Sequence, residues 1–344
     1  MSLSDYIKDE IRHNGPMSLA TYMMLANAHY YNHSNPFGAE GDFITAPDIS
    51  QMFGELIGAW AADCWIKMGE PKKFLLVECG PGRGTLMADA LRATNRVDGF
   101  HEAAQIMLVE NSHSLIEQQK SLLSEYEISW CGELSSLSKE LPIILIANEF
   151  LDALPIKQYR YNEGAWSEVM IGLDDNGELE NGLQRVVDDT LPKDAKEGDV
   201  FELSEMQNEF VKELALRLNE QKGTALLIDY GYIDGRGDTL QAVKDHKPVS
   251  CLEKPGEVDL TSHVNFSALK RAAGACKVHG PVSQSDFLKS LGIEIRAQML
   301  LQGASENQKL DIEQGLKRLI DPEQMGTLFK VLSLSSASIT PSGF

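Results

Sequence analysis

The chain has 344 residues, 43% hydrophobic and 24% charged. This composition suits one large α/β domain or two smaller ones and excludes collagen-like or proline-rich disordered chains. With 31 basic against 51 acidic side chains, the net charge is −20. Such a surface repels phosphate backbones, so no nucleic-acid partner is expected; a cation or a basic peptide is attracted instead.

Residues 1–14 carry Asp5, Asp9 and Glu10 without a continuous apolar stretch. They resemble neither a signal peptide nor an acid-poor transit peptide. No apolar run approaches the roughly 18 residues that span a bilayer, so no membrane insertion and a cytoplasmic location are expected. Five cysteines, at 64, 79, 131, 251 and 276, form no C-x-x-C pair. Their odd number and loose spacing suit free thiols in a reducing compartment. His29 and His33 have i, i+4 spacing but lack a third ligand or an H-E-x-x-H motif, so no metal centre is expected.

In chain order, Leu3, Ile7 and Ile11 mark a helix that Asn14-Gly15-Pro16 stops. Ser18 caps a second helix with Leu19, Tyr22, Met23 and Ala26 on one side. A loop from Asn35 to Pro47 leads to a third helix from Ile49 to about Lys67. From Lys73 the pattern becomes strand, glycine turn, helix, strand: Phe74 to Cys79, a helix from Thr85 to Ala93, and Ile106 to Glu110. A helix from His113 to Ser124 follows, then strands at Ile128 to Cys131 and Ile143 to Ala147. Continuous apolar strands alternating with helices indicate a parallel sheet buried on both faces.

Residues 156–190 break the alternation. Turns at Asn162-Glu163-Gly164 and Asp175-Asn176-Gly177 predict antiparallel hairpins inserted in the α/β domain. Ser204-x-x-Gln207 is a capping box for a helix ended by Gly223, and Ala225 to Asp229 is a fifth strand. Helices near Phe266 to Ala273, Ser285 to Leu291 and Asn307 to Ile320 precede a last strand at Leu328 to Ser333.

The sharpest feature is Glu78-Cys79-Gly80-Pro81-Gly82-Arg83-Gly84-Thr85, where a strand ends and a helix begins. Glycines let a ligand approach the backbone, and the helix start offers N–H groups. A Walker loop needs Gly-Lys-Ser/Thr, which is absent. A dinucleotide fingerprint needs a third glycine at 85, where Thr stands. Glu110, 26 residues after Gly84, ends the second strand, where an acid can accept ribose hydroxyls; alone it reads equally as a solvated strand end. Glu78 argues against a pyrophosphate and suits a cofactor carrying an ammonium and a sulfonium, S-adenosyl-L-methionine (SAM).

The segments Gly41 to Glu55, Glu78 to Leu86, Asn148 to Pro155, Ile228 to Gly231, Asp238 to Ala242 and Asp259 to Phe266 match, in order, the signatures of one family. The chain resembles the MidA-like (DUF185) family over nearly its whole length, with Asp48 where Glu is expected and Asn265 where Asp is expected. The resemblance implies a class I, Rossmann-like methyltransferase fold. It also implies protein-arginine methylation, since the mitochondrial member methylates a core subunit of respiratory complex I and assists its assembly.

The expected organisation is a helical extension with a cleft loop over 1–72 and a SAM-binding α/β core over 73–155 and 223–344. Inserted hairpins and a helix occupy 156–222. Expected cofactor contacts are Glu78, Gly80, Gly82, Gly84, Glu110 and Asn148. The stretch Asn148-Glu149-x-x-Asp152 follows the fourth strand, so Glu149 and Asp152 are the catalytic candidates; a plain helix cap by Asn148 or Asp152 is the alternative. A guanidinium matches carboxylates in pairs. Asp42, Asp48 and Glu55 can close over the cleft toward substrate. Asp259 and His263, four apart, can share a helix start with a substrate role or act as a cap and a structural histidine. An assembly chaperone that keeps the cofactor without turnover is the alternative function; a NAD-dependent dehydrogenase, disfavoured by Thr85, is the weaker one.

Overall fold

A computed structural model describes residues 1–33, 45–244 and 247–344. The chain divides into two units, one of 1–36, 152–208 and 234–263, the other of 37–151, 209–233 and 264–344. The segment ends expected at 72, 155 and 222 do not coincide with these limits.

The larger unit is built on a central sheet. Its strands are β1 (Phe74–Cys79), β2 (Ala104–Val109), β3 (Ile128–Cys131), β4 (Ile143–Asn148), β5 (Gly223–Tyr232), β6 (Lys277–Ser283) and β7 (Phe329–Ser335). They lie in the order β6-β7-β5-β4-β1-β2-β3, with a two-residue strand, Val264–Asn265, beside β5. β1 to β5 run parallel, whereas β7 is antiparallel to β5 and β6 to β7. Every residue of β1 and β4 is buried, the mark of a sheet covered on both faces. From β1 the chain adds strands first on one side, through β2 and β3, and then on the other, through β4 and β5. The carboxyl ends of β1 and β4 therefore flank the point where the strand order reverses.

Helix Gln51–Lys67 covers this sheet through Phe53, Ile57, Trp60 and Trp65. It lies close on helix Thr85–Thr94, because a Cβ added at Gly58 would stand 2.6 Å from the Ala90 backbone. Trp65, Phe74 and Phe100 pack ring against ring at 5.3–6.4 Å, which anchors β1. The third helix is interrupted: Ser50 is extended, its hydroxyl accepts from Met52 N, and a short helix Ala46–Ile49 precedes it. Serine competes for backbone hydrogen bonds and so favours a cap over a helix interior.

The smaller unit joins helices Leu3–Asn14 and Leu19–His33 to antiparallel strands. Its core includes Ile7, Ile11, Tyr22, Met23, Ile156, Ile171 and Leu260. Lys157–Asn162 pairs with Ala165–Leu173 through a two-residue loop at Glu163 and Gly164, both at positive φ, the turn whose twist fits a hairpin. Leu179–Arg185 adds the second expected hairpin. These hairpins share a unit with the N-terminal helices. Three short strands, Gln241–Lys244, Lys247–Val249 and Asp259–Thr261, form a separate sheet. Among the described residues no helix is long and apolar enough to cross a membrane. All five cysteines are free thiols. Cys79 is buried and Cys131 half-buried.

Candidate active site

The turn after β1 takes three left-handed steps, Gly80 at φ 63°, Gly82 at 53° and Gly84 at 87°. At Gly80 a Cβ would come within 2.8 Å of the Phe150 ring. Gly84 caps helix Thr85–Thr94 and has no side chain to accept from the first-turn N–H groups; the Glu78 carboxyl takes the one at Met87. Gly80, Gly82, Glu78, Arg83, Asn148 and Glu149 line one crevice at the strand-order reversal.

Glu78 sits in β1 opposite Leu108 of β2 and Ile146 of β4, and is 2% exposed. Burial pushes its carboxyl up to about 8; a backbone hydrogen bond at Met87 opposes this and the charge of Glu110 adds to it. Its Oε2 has no hydrogen-bond partner, nor have Asn148 Oδ1 and Arg83 Nε. A buried acceptor left unmade costs free energy until something donates to it. Two orphaned acceptors and one orphaned donor in a single crevice match a ligand with an ammonium and a carboxylate. The amino-acid end of SAM fits this donor set. Arg83 is not legible in the sequence, because nothing in its spacing marks it.

At the end of β2, Glu110 Oε1 accepts from the backbone N–H groups of Asn111 and Ser112, both at 2.8 Å. Its Oε2 accepts from Gln119 Nε2 at 3.2 Å. Burial raises this carboxyl, and the three donors pull against that rise. The result is an oriented acceptor beside the glycine turn, suited to a diol.

Glu149 follows β4 with φ 49°, a left-handed backbone outside glycine. A residue held there costs about 1–3 kcal/mol, and such strain clusters at functional sites. Its backbone N–H donates to Ile228 O at 2.9 Å. Its Oε1 accepts from Ala46 N at 3.1 Å and from Asn148 Nδ2 at 3.3 Å. The carboxylate is thereby fixed at the crevice wall.

Two substrate candidates have other work. Asp48 Oδ1 accepts from Arg83 Nη2 at 2.5 Å, and its Oδ2 accepts from Thr45 Oγ1 at 3.2 Å. It lines the crevice, where it braces the glycine turn. Glu55 lies on helix Gln51–Lys67, 6% exposed, with Arg296 Nε at 2.7 Å from Oε2 and Arg92 Nη1 at 2.8 Å from Oε1. Burial pushes its carboxyl up, but the two arginines outweigh it and leave it below the ordinary range. Both its oxygens tie helices together, which corrects the expected substrate contact. Asp42 lies outside the described residues.

The remaining candidates belong to the smaller unit. Asp259 is buried, and both its oxygens accept from Tyr31 Oη at 3.0 Å. Burial raises the Tyr31 hydroxyl well above its ordinary value, and the charges of Asp259 and Asp152 raise it further. Asp152 is buried, and its carbonyl accepts from Ser262 N. His263 N donates to Thr239 Oγ1 at 2.9 Å. Asp259 and His263 do not share a helix start: Asp259 is in a strand, and helix Phe266–Ala272 begins after Asn265, whose side chain caps it. Among the described residues no cluster of His, Cys, Asp or Glu is placed to hold a metal ion.

Residues 56–282 match a model of S-adenosyl-L-methionine-dependent methyltransferases. The chain is 33% identical to the zebrafish (Danio rerio) mitochondrial protein named protein arginine methyltransferase NDUFAF7, over 97% of this chain and 86% of that one. Its Drosophila melanogaster homologue is 35% identical, over 97% and 84%. A solved COG1565 superfamily protein from Burkholderia thailandensis, bound to S-adenosyl-homocysteine, superposes with a TM-score of 0.84 at 24% identity, covering 99% of this chain and 93% of that one. That likeness establishes the fold.

Proposed function

This chain belongs to the family of S-adenosyl-L-methionine-dependent methyltransferases, and we propose that it methylates an arginine side chain of a partner protein. The observation that carries this reading is the carboxylate of Glu149, held in a strained backbone at the wall of the crevice where Glu78 and Asn148 present unmatched acceptors. The names of the curated relatives support arginine as the acceptor. A basic segment suits a chain of net charge −20. The family resemblance points to a respiratory complex I subunit as its source.

SAM supplies a methyl group on a sulfonium. Glu78 and Asn148 would hold the ammonium of its amino-acid end, Arg83 its carboxylate, and Glu110 its ribose hydroxyls. Glu149 accepts hydrogen bonds from the guanidinium, turns one nitrogen toward the methyl group and concentrates the positive charge away from it. Bound there, SAM would supply the methyl group and leave with the electron pair of its C–S bond, and the arginine nitrogen that Glu149 orients would pass its proton to solvent. Orientation and fixed charge are the chain's contribution.

Calorimetry of SAM binding between pH 6 and 9 tests the cofactor half. Glu78 is largely protonated below about 8 in the unliganded chain, and an ammonium needs it ionised. Affinity is therefore expected to rise by up to about tenfold per pH unit below 8 and to level off above it. The same raised carboxyl makes the unliganded fold lose stability as pH climbs from the ordinary 4.5 through about 8. Binding should survive a chelator. Tight NADH binding without SAM binding contradicts the reading.

A further inference from the structure

Gln119 is a polar side chain with no exposed surface, in helix His113–Leu122. Its Oε1 accepts from Trp130 Nε1 at 2.8 Å. An indole N–H only donates, so it selects the amide oxygen and turns the amide NH₂ the other way. There the two amide hydrogens meet Gly82 O at 2.7 Å and Glu110 Oε2 at 3.2 Å. A backbone carbonyl and a carboxylate only accept, which independently requires the same orientation. Every polar group of this amide is satisfied, and it joins two loops at the carboxyl ends of neighbouring strands: the glycine turn after β1, which lines the crevice, and the acid after β2.

We propose that Gln119 is a positioning residue for the cofactor's nucleoside, one that fixes the Glu110 carboxylate against the Gly82 carbonyl so that ribose and turn are read in a single geometry. This rests on the assignment of Glu110 to the ribose made above. Gln119 is suited to the task because an amide donates twice from one plane. Without it, Glu110 keeps the N–H groups of Asn111 and Ser112 on Oε1 but has no side-chain donor holding Oε2. The carboxylate is then free to turn about its last bond. The Gly82 carbonyl, once bonded to a buried amide, is left without that donor.

The test is calorimetry of the full chain with SAM and with its 2′-deoxy form, comparing the native protein, Gln119→Met, Glu110→Gln and the double variant. Native protein is expected to prefer SAM, and Gln119→Met to lose roughly tenfold to a hundredfold in SAM affinity. Much of its preference over the deoxy form should go with it. The double variant should lose less affinity than the two single losses combined, because both changes remove the Gln119–Glu110 bond. Should Gln119→Met unfold, Trp130→Phe keeps Gln119 and frees its amide to turn; it should lose part of the same preference. A variant at 119 or 130 that binds more weakly yet prefers SAM as strongly as the native chain overturns the proposal and leaves a structural role. Native protein that binds SAM and the deoxy form equally overturns the Glu110 assignment, and this inference with it.

Discussion

Glu149→Gln is expected to bind SAM as the native chain does and to lose about 10²–10³ of its methyl-transfer rate, the size of one preorganised electrostatic interaction. The amide keeps an Oε1 that accepts from Ala46 N and Asn148 Nδ2, so the local structure has its bonds. What goes is the negative charge and the pair of charge-assisted bonds a carboxylate makes to a guanidinium. The SAM contacts assigned to Glu78, Arg83 and Glu110 are untouched. Single-turnover rates and binding isotherms on the same preparation separate the two quantities. A wild-type rate contradicts the role of Glu149 and turns attention to Asp152.

Gly82→Val is expected to abolish SAM binding, weakening it by more than roughly a hundredfold, while the protein still folds. At φ 53° a residue with a Cβ costs ~1–2 kcal/mol in the left-handed region, and a β-branched one more. The turn therefore shifts, and the carbonyl that Gln119 holds at 2.7 Å shifts with it. The new side chain also stands where the ligand approaches the backbone. Circular dichroism and calorimetry together are the check: native-like spectra with unchanged affinity would mean that the turn serves only the fold.

The central sheet was legible because its strands are short unbroken apolar runs closed by turn residues. Phe74–Cys79 and Ile128–Cys131 fall at their expected limits. Lys277–Ser283 escaped notice because His279, Gly280 and Pro281 interrupt it; it lies at the edge of the sheet, where polar residues are tolerated. Helix Ile293–Leu301 also went unread, since its apolar residues do not gather on one face. In the site, spacing alone picked out the glycine turn and both flanking acids. Partner choice was out of reach: Glu55 looked like a cleft acid until Arg296, 241 residues away in sequence, was found on it. Gln119 gave no sign either, because a buried glutamine reads in sequence as an exposed one. Strain was equally invisible, since nothing in Asn148-Glu149-Phe150 announces a left-handed step.

The most direct test of arginine methylation is mass spectrometry of cell proteins with and without the gene, the deletion being complemented by the native chain or by Glu149→Gln. The expected result is a methyl mark on an arginine of a partner protein that disappears on deletion, returns with the native chain and does not return with Glu149→Gln. If the partner's complex assembles normally with Glu149→Gln while the mark is absent, assembly depends on the protein's presence and the chaperone role is the essential one. Identical arginine methylation in the presence and absence of the gene would contradict the proposed activity.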